Sequence, residues 1–440
     1  MAYNNVNIST SGPLLLKHAI QSHIEPRLPE NIINKLTEKR LINTIKNAYT
    51  HVPFYKEYYN NSNIDINNIR SFDDIKALPF LLKEHVRQNF PGKLLNVNHD
   101  LDKCFISGTT GSTGKSVNFA YSKSTFLFYL CTSLRVYTMI GYKPWYKMAF
   151  IKYTPLPAIN IPGLPLFKTY HIPSIAPIDK QMELLRQFNP DLLAGYASII
   201  YEMACNLTEI DKKKLKIKVI SLNSELSTTA ERDFISNAFN CHVYDEYSTE
   251  ETWMVASQCK YKNYHIFTDN VYVEFLDDDD KNVKEEEIGE IVLTTLRSPA
   301  MPFIRYKIGD IGSYSLEKCP CGRNFPLLKS FEGRADDVFI LPNGKRISSL
   351  KLLNTFTKFI KSDPKLMNEF KFVQEKIDYA AIYLIPGEEY IEERFKELIN
   401  QLDNILEKDI HIELKIVDSI NNQGKIKRKA IESLVSRRNK

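Results

Sequence analysis

Long hydrophobic runs are absent from this sequence, and no stretch approaches the roughly 20 apolar residues that a membrane-spanning helix needs. Cysteine is scarce: the 440 residues include seven, an odd number without the spacing of a disulfide framework. The segment from Met1 to Pro13 lacks a signal-peptide core. We therefore expect a cytoplasmic protein with reduced thiols.

The sequence also lacks a strong excess of either positive or negative charge. Lysine and arginine number 58 against 53 acidic residues, which gives a net charge of +5. This small excess is scattered along the chain, so nucleic acid is not an expected partner. With 43% hydrophobic and 25% charged residues, the composition is that of a globular protein.

Strand-like and helical patterns alternate through the middle of the chain. Apolar runs at 148–151, 192–194, 217–222 and 243–247 alternate with helical patterns at 178–188, 196–208 and 228–239. This alternation predicts an α/β fold with crossover helices, preceded by helices at 30–48 and 122–140. From about residue 271 to 332 the pattern is strand-rich. A small α/β unit follows, with a last helix expected at 427–436, so we predict two domains, 1–333 and 334–440.

The densest patch of glycine and hydroxyl residues is Ser107-Gly-Thr-Thr-Gly-Ser-Thr-Gly-Lys-Ser116. Glycines allow backbone N–H groups to approach an anion, and hydroxyls and a lysine add donors and charge, so the loop is suited to a polyphosphate. Gly114-Lys115-Ser116 matches the end of a P-loop, G-x-x-x-x-G-K-[ST]. The first glycine of that motif would have to stand at Thr109, which disfavours a P-loop ATPase.

Four further motifs follow this loop in order: Tyr247-Ser248-Thr249-Glu250, Arg305-Tyr-Lys-Ile-Gly-Asp310, Gly333-Arg-Ala-Asp-Asp337 and Gly424-Lys-Ile-Lys-Arg428. Together with the Ser-Gly-Thr-Thr-Gly loop they resemble the motifs of the adenylate-forming, or acyl-CoA synthetase, superfamily. The resemblance implies a multi-domain α/β fold. A large N-terminal adenylation domain with mixed sheets and helices would carry a small mobile α/β domain that rotates about Asp336.

Three segments narrow the resemblance: His51–Lys56, Ser71–Lys83 and Cys319-Pro-Cys-Gly-Arg323. They resemble segments of the phenylacetate–CoA ligase family and its capsular-polysaccharide-biosynthesis relatives. The implied enzyme activates a carboxylic acid, such as an aromatic one, as acyl-AMP with release of pyrophosphate, and then forms a thioester with CoA. Nothing in the sequence marks a CoA pocket, so an amine, a hydroxyl or a carrier-protein thiol remains an alternative acceptor. A homodimer is the family expectation.

The resemblance also assigns roles to single residues. Catalysis would involve Lys425, Glu250 as the Mg²⁺ ligand, and Thr109. Asp310, at an expected strand end, would bind the ribose hydroxyls, and Asp336 would be the hinge. The residues expected to bind ATP are Ser107, Gly108, Thr109, Thr110, Gly111, Thr113, Lys115, Ser224, Glu225, Asp245, Glu246, Tyr247, Ser248, Thr249, Asp310 and Arg334.

The acid pocket is assigned to the region between residues 130–150, the 194–198 loop and the strand ends at 222–252. Its candidate walls are Tyr137, Tyr153, Gly195, Tyr196 and Trp253. Aromatic residues at such places also occur as ordinary core residues, so both interpretations stay open here.

Cys259, His265, Cys319 and Cys321 form a second constellation. Four nitrogen and sulfur ligands suit a closed, tetrahedral, structural zinc site. The Cys-x-Cys spacing is shorter than that of common zinc ribbons, so four unrelated residues are the alternative. The other four cysteines lie in apolar runs and are expected to be inert core thiols.

Overall fold

The structure is a computed structural model that describes residues 12–109, 117–153, 155, 166–362, 365–420 and 430–435. The side chains of Thr109, Asp336 and residues 361–362 are outside the description. Within the described residues, no helix is both long and apolar enough to cross a membrane.

The N-terminal region is helical, with α1 Gly12–Ile24, α2 Glu30–His51, α3 Pro53–Asn61 and α4 Lys83–Asn89. Helix α2 confirms the helix predicted at 30–48. It ends at His51 because Val52 precedes a proline and takes an extended conformation, with φ −113° and ψ 109°. Pro53 then occupies the first turn of α3, where its missing N–H costs nothing.

A hairpin and a mixed sheet of eleven strands, counted over the described residues, follow these helices. The sheet order is β10-β11-β12-β13-β9-β8-β7-β6-β5-β3-β4. The elements are β1 Phe105–Thr109, β2 Val117–Tyr121, α5 Lys123–Met139, β3 Met148–Lys152, β4 Thr169–Pro173, α6 Ile178–Phe188, β5 Leu192–Tyr196, α7 Ala197–Cys205, α8 Glu209–Lys214, β6 Val219–Asn223, α9 Thr229–Phe239, β7 His242–Thr249, β8 Trp253–Gln258, β9 Tyr264–Ile266, β10 Val271–Leu276, β11 Gly289–Thr295, β12 Tyr306–Ser315 and β13 Leu327–Arg334.

One half of the sheet is parallel: β4, β3, β5, β6 and β7 run side by side in the same direction. Alternate residues of these strands enter two apolar cores. One core contains residues of α5, and the other contains residues of α6, α7 and α9. Because parallel strands end at the same edge, the residues at their carboxyl ends converge there, the usual ligand-binding edge of an open α/β sheet.

The other half of the sheet is antiparallel and runs from β8 to β13. The turn between β7 and β8 joins the two halves, so β7 belongs to both. This mixed α/β architecture confirms the predicted fold class. The predicted core cysteines are in part wrong, because Cys205 is exposed while Cys131 is buried.

Beyond β13 and a 3₁₀ turn at Ala335–Asp337 lies a separate apolar core. Its elements are β14 Phe339–Ile340, β15 Arg346–Ile347, α10 Ser349–Ser362, β16 Met367–Lys376, β17 Tyr379–Pro386, α11 Glu392–Ile405, β18 His411–Ile416 and β19 Ile431–Ser433. Strands β16 to β19 form a four-stranded sheet in the order β18-β17-β16-β19, separate from the β14–β15 pair. The domain boundary at residue 334 stays a prediction.

The helix expected at 427–436 is wrong where the chain is described. Residues 431–433 form β19, which pairs in parallel with β16 and buries Ile431 in the C-terminal core. A short apolar run fits a helix or a strand equally well by periodicity, and here pairing with β16 decides.

Candidate functional site

The hairpin of β1 and β2 carries the two ends of the glycine-rich loop. Strand β1 pairs with β2 so that Ser107 faces Phe119 and Gly108 faces Asn118. A Cβ atom added at Gly108 would lie 2.5 Å from the Asn118 Oδ1 atom and 3.2 Å from the Val117 carbonyl oxygen. The close pairing of the two strands therefore requires glycine at position 108. Thr110, Gly111, Thr113 and Lys115 lie outside the described residues, as does Lys425.

Glu250 stands in the turn between β7 and β8, next to this hairpin. Its Oε2 atom accepts a hydrogen bond from the Ser107 hydroxyl at 3.1 Å, and its carbonyl oxygen accepts one from the Tyr121 hydroxyl. The Thr249 Oγ1 atom accepts from the Thr252 amide at 3.0 Å, which fixes the turn. The fold thus brings Ser107 and Glu250 together although 143 residues separate them. The exposed carboxylate is accessible to a cation beside the loop.

Asp310 lies deeper in the site. Its carboxylate accepts from the Tyr247 hydroxyl at 2.7 Å and forms an ion pair with Arg334 Nε at 3.0 Å. Arg334 stands opposite Asp310 in the β12–β13 ladder, which explains the pair. The Asp310 carboxylate raises the pKa of Arg334, while burial and then Asp310 raise the pKa of Tyr247. Three residues expected to bind ATP therefore form one hydrogen-bonded group.

The expectation that Asp310 stands at a strand end is wrong, because it lies inside β12. The ladder with β11 shifts register between the pair Ile291–Asp310 and the pair Val292–Lys307. Gly309, in the extra segment, has φ +82°, which favours glycine. A bulge at this place re-aims the side chain that follows it.

The carboxyl ends of the parallel strands bring several predicted residues together. Ser224 follows β6 with φ +68°. The Glu225 carboxylate accepts from the Ser198 amide at 3.0 Å, at the start of α7. Burial raises the pKa of Tyr196 to about 12, and the nearby Glu250 and Glu225 carboxylates add to the shift. Tyr196, Glu225 and Glu250 therefore share one corner of the site.

Two buried or half-buried acids occupy β7. Asp245 accepts from Tyr264 at 2.6 Å and from Ser227 at 3.2 Å, and burial raises its pKa to about 6. Glu246 points to the opposite face because side chains alternate along a strand. Burial raises its pKa to about 7, although Lys152 lowers it. Ser248, next to Thr249, is half-buried and faces Met254 in the β7–β8 ladder.

The candidate pocket walls differ in their surroundings. Tyr137 of α5 is buried, and burial with the Glu246 charge raises its pKa. A Cβ atom at Gly195 would lie 2.6 Å from the Ile151 Cβ atom, so glycine allows β5 to approach β3. Trp253 donates to the Ser133 hydroxyl at 2.7 Å and stacks on Tyr129. Tyr153 is 53% exposed, so it fits the role of a pocket wall less well than the other candidates.

Lys152, at the end of β3, is a candidate that the sequence analysis missed. Its Nζ atom donates to the Asn223 Oδ1 atom at 3.1 Å and to the Ser224 hydroxyl at 3.2 Å. The signal was present in the sequence, because a lysine directly follows the apolar run Met148–Ile151 at the ligand-binding edge of the sheet.

The four candidate zinc ligands converge at the other side of β8 and β9. One ligand atom from each of Cys259, His265, Cys319 and Cys321 lies within 4.8 Å of all the others. The Sγ atoms of Cys259 and Cys319 are 3.6 Å apart, and Cys321 Sγ is 3.2 Å from His265 Nε2. Tetrahedral zinc with Zn–S bonds of about 2.3 Å places two sulfurs about 3.8 Å apart. The donor set and its spacing therefore fit zinc.

Local hydrogen bonds lower the thiol pKa at two positions of the cluster. Burial alone would raise the pKa of Cys319, but hydrogen bonds, beginning with one from Asn263, lower it overall. The pKa of Cys321 is lowered as well, against burial, by His265 and Arg323. Burial raises the pKa of Cys259 to about 12, so a metal would have to displace its proton.

The sequence is similar to several known proteins. Residues 339–433 match the family model of the CapK C-terminal domain. Protein CapK of Staphylococcus aureus is 26% identical over 409 residues, 87% of this chain and 86% of that protein. The phenylacetate-coenzyme A ligase of Thermus thermophilus is 24% identical over 325 residues, 71% of this chain and 73% of that protein.

A solved structure also matches the overall fold. A crystal structure of 2-hydroxyisobutyryl-CoA ligase in the postadenylation state, with 2-HIB-AMP, superposes with a TM-score of 0.77 at 18% identity, over 94% of this chain and 92% of that one. The chain is similar in sequence to phenylacetate–CoA ligases and to CapK. The resemblance inferred from the ordered motifs is thereby confirmed, and so is the adenylate-forming fold. The roles of single residues stay predictions.

Proposed function

We propose that this relative of phenylacetate–CoA ligases is an ATP-dependent, AMP-forming carboxylate ligase. The substrate carboxylate attacks the α-phosphorus of ATP, the bond to the β-phosphate oxygen breaks, and acyl-AMP and pyrophosphate form. In the second step the CoA thiolate attacks the acyl carbon and AMP leaves. The observation that carries the proposal is that Ser107 contacts Glu250, directly after β7, while Tyr247 of β7 joins the Asp310–Arg334 pair to the same strand.

The site has to overcome the repulsion between a carboxylate and a triphosphate. Ser107 and Gly108 begin the loop that holds the phosphates, and Glu250 beside them would hold Mg²⁺, which supplies positive charge to the phosphate oxygens. Asp310 accepts the hydrogens of the ribose hydroxyls while Arg334 and Tyr247 keep its carboxylate in place. Both reactants are thereby fixed in one geometry, which lowers the entropic barrier.

The C-terminal unit completes the reaction in this proposal. Lys425 stabilises the negative charge that develops during adenylation. The unit then rotates about Asp336, the middle residue of the 3₁₀ turn that directly follows β13. Alanine at Lys425 should abolish adenylation, whereas alanine at the neighbouring Lys427 should not. Equal activity of both variants would remove the role assigned to Lys425.

A second acceptor class is supported by one observation. The amide bond synthetase McbA of Marinactinospora thermotolerans has a similar fold, with a TM-score of 0.50 at 15% identity over 75% of this chain and 68% of that one. Transfer to an amine, a hydroxyl or a carrier-protein thiol is therefore the alternative to CoA. The acid-dependent pyrophosphate exchange is common to both, and AMP release on adding CoA or amines separates them.

We also propose that zinc occupies the Cys259–His265–Cys319–Cys321 cluster. The metal would join the β8–β9 turn to the segment before β13 and so hold β8, which follows the Glu250 turn, and β13, which ends at Arg334. Four protein ligands leave no open position, so its role is structural. A cytoplasmic location and a homodimer stay predictions, which fractionation of cell extracts and light scattering would test.

A further inference from the structure

A polar cluster interrupts the apolar sheet face that packs toward α5. Strand alternation places Lys152 on the same face as Met148 and Phe150, which belong to the core that includes α5 residues. The cluster consists of Lys152, Ser221, Asn223 and Glu246, at the carboxyl ends of β3, β6 and β7. Ser221, Asn223 and Glu246 are buried.

The contacts in this polar cluster are only partly complete. Lys152 donates to Asn223 and Ser224, and its Nζ atom lies 5.5 Å from the centre of the Tyr196 ring. Glu246 is 5% exposed, and its Oε2 atom has no hydrogen-bond partner among the described residues. A buried carboxylate oxygen without a donor is unfavourable. The Lys152 ammonium balances the charge but leaves this acceptor unsatisfied.

The location of the unsatisfied oxygen connects it with the substrate. Tyr137 of α5 lies close enough to Glu246 for the carboxylate to affect its pKa, and Tyr196 lies beside Lys152. Both tyrosines are among the residues expected to wall the acid pocket. The polar cluster therefore belongs to the same space between α5 and the strand ends, at the edge of the sheet where Glu250 stands.

We propose that the acid pocket selects a carboxylic acid with a second polar group, a hydroxyl or amino substituent that donates a hydrogen bond to Glu246 Oε2. Lys152 favours the charged form of Glu246 against its burial, and Asn223 accepts a hydrogen bond from Lys152 in the same cluster. This inference rests on the proposed adenylation and adds the chemical class of the acid. It assigns Glu246 to the acid and not to ATP, where the resemblance placed it. An acid with only hydrocarbon in its place would leave the carboxylate oxygen unpaired, and sites built to bond a substituent reject analogues that lack it.

The test compares acids that differ by a hydroxyl and a methyl group of similar size. ATP–pyrophosphate exchange is measured with 4-hydroxyphenylacetate against 4-methylphenylacetate, 2-hydroxyisobutyrate against pivalate, and 4-aminobenzoate against 4-methylbenzoate. We expect the donor-bearing acid of at least one pair to have a kcat/KM at least about tenfold higher. Equal or higher values for every methyl-bearing acid would overturn the inference but leave the proposed function intact. No exchange with any acid would overturn both.

Substitutions in the polar cluster test whether its residues cause the preference for the donor-bearing acid. Glu246→Leu should reverse the preference within the pair, and Lys152→Met should weaken it. Lys218→Met is the matched control, because Lys218 also lies at a strand end, 4.1 Å from the Tyr146 ring centre and 2.8 Å from Asp191, but at the opposite edge of the sheet. Its preference should stay that of the parent protein. A preference that survives Glu246→Leu in a variant with an unchanged melting temperature would contradict the inference.

Discussion

Asp310→Asn should weaken ATP binding without disrupting the fold. The Asp310 carboxylate forms an ion pair with Arg334 Nε at 3.0 Å and accepts a hydrogen bond from the Tyr247 hydroxyl at 2.7 Å. The substitution keeps the size of the side chain but removes its negative charge. A hydrogen bond to a charged acceptor contributes about 1.5–3 kcal/mol and a neutral one about 0.5–1.5 kcal/mol. With two ribose hydroxyls the loss is about 2 kcal/mol, which corresponds to an increase of about 30-fold in the KM for ATP.

The control is Asp191→Asn at the opposite edge of the sheet. Asp191 accepts from the Lys147 amide at 2.9 Å and pairs with Lys218 at 2.8 Å, so its environment is comparable. Both variants should lose about 1–2 kcal/mol of unfolding free energy, measured by urea denaturation. In steady-state pyrophosphate release only Asp310→Asn should raise the KM for ATP. Equal KM values for the two variants would refute the assignment of Asp310 to the ribose.

Three further predictions address the metals and the acid pocket. Glu250→Gln should raise the Mg²⁺ concentration for half-maximal exchange by about 10–100-fold, the loss seen even for residues that only support a metal ligand; an unchanged Mg²⁺ titration would contradict its role. Elemental analysis should find about one zinc per chain, and Cys321→Ser should lose it and melt at a lower temperature, whereas Cys205→Ser should do neither; metal-free protein with the parent's melting temperature would exclude the site. Burial raises the pKa of Glu246 from 4.5 to about 7, so ionisation disfavours the fold: the unfolding free energy should fall by up to about 3 kcal/mol between these pH values. Glu246→Gln should remove that part of the pH dependence. The charges of Lys152 and Asp245 also influence the pKa of Glu246, and Tyr137 lies close to its carboxylate. If the variant and the parent protein had the same pH profile of stability, this prediction would be wrong.

The order of the motifs along the chain was sufficient to predict the fold, and the resemblance assigned Ser107 and Glu250 to the same nucleotide site. Each motif depends on local chemistry that a sequence displays directly, such as glycines where two strands approach. Gly108 is an example, because the approach of Asn118 and Val117 requires the absence of a Cβ atom.

Features that depend on pairing between distant segments escaped prediction. The bulge at Gly309 exists because β12 must match β11 and β13 at once, and the short run at 431–433 becomes a strand because β16 offers an open edge. Lys152 was overlooked for a similar reason. Only the parallel order of β3, β6 and β7 shows that this lysine and Glu246 meet on one face.

The most direct measurement is the incorporation of labelled pyrophosphate into ATP by the purified full-length chain, across a panel of carboxylic acids with Mg²⁺. The proposed adenylation predicts exchange that requires a particular acid, persists without CoA and disappears in Lys425→Ala. Exchange without any acid, or hydrolysis of ATP to ADP and phosphate in place of exchange, would contradict it.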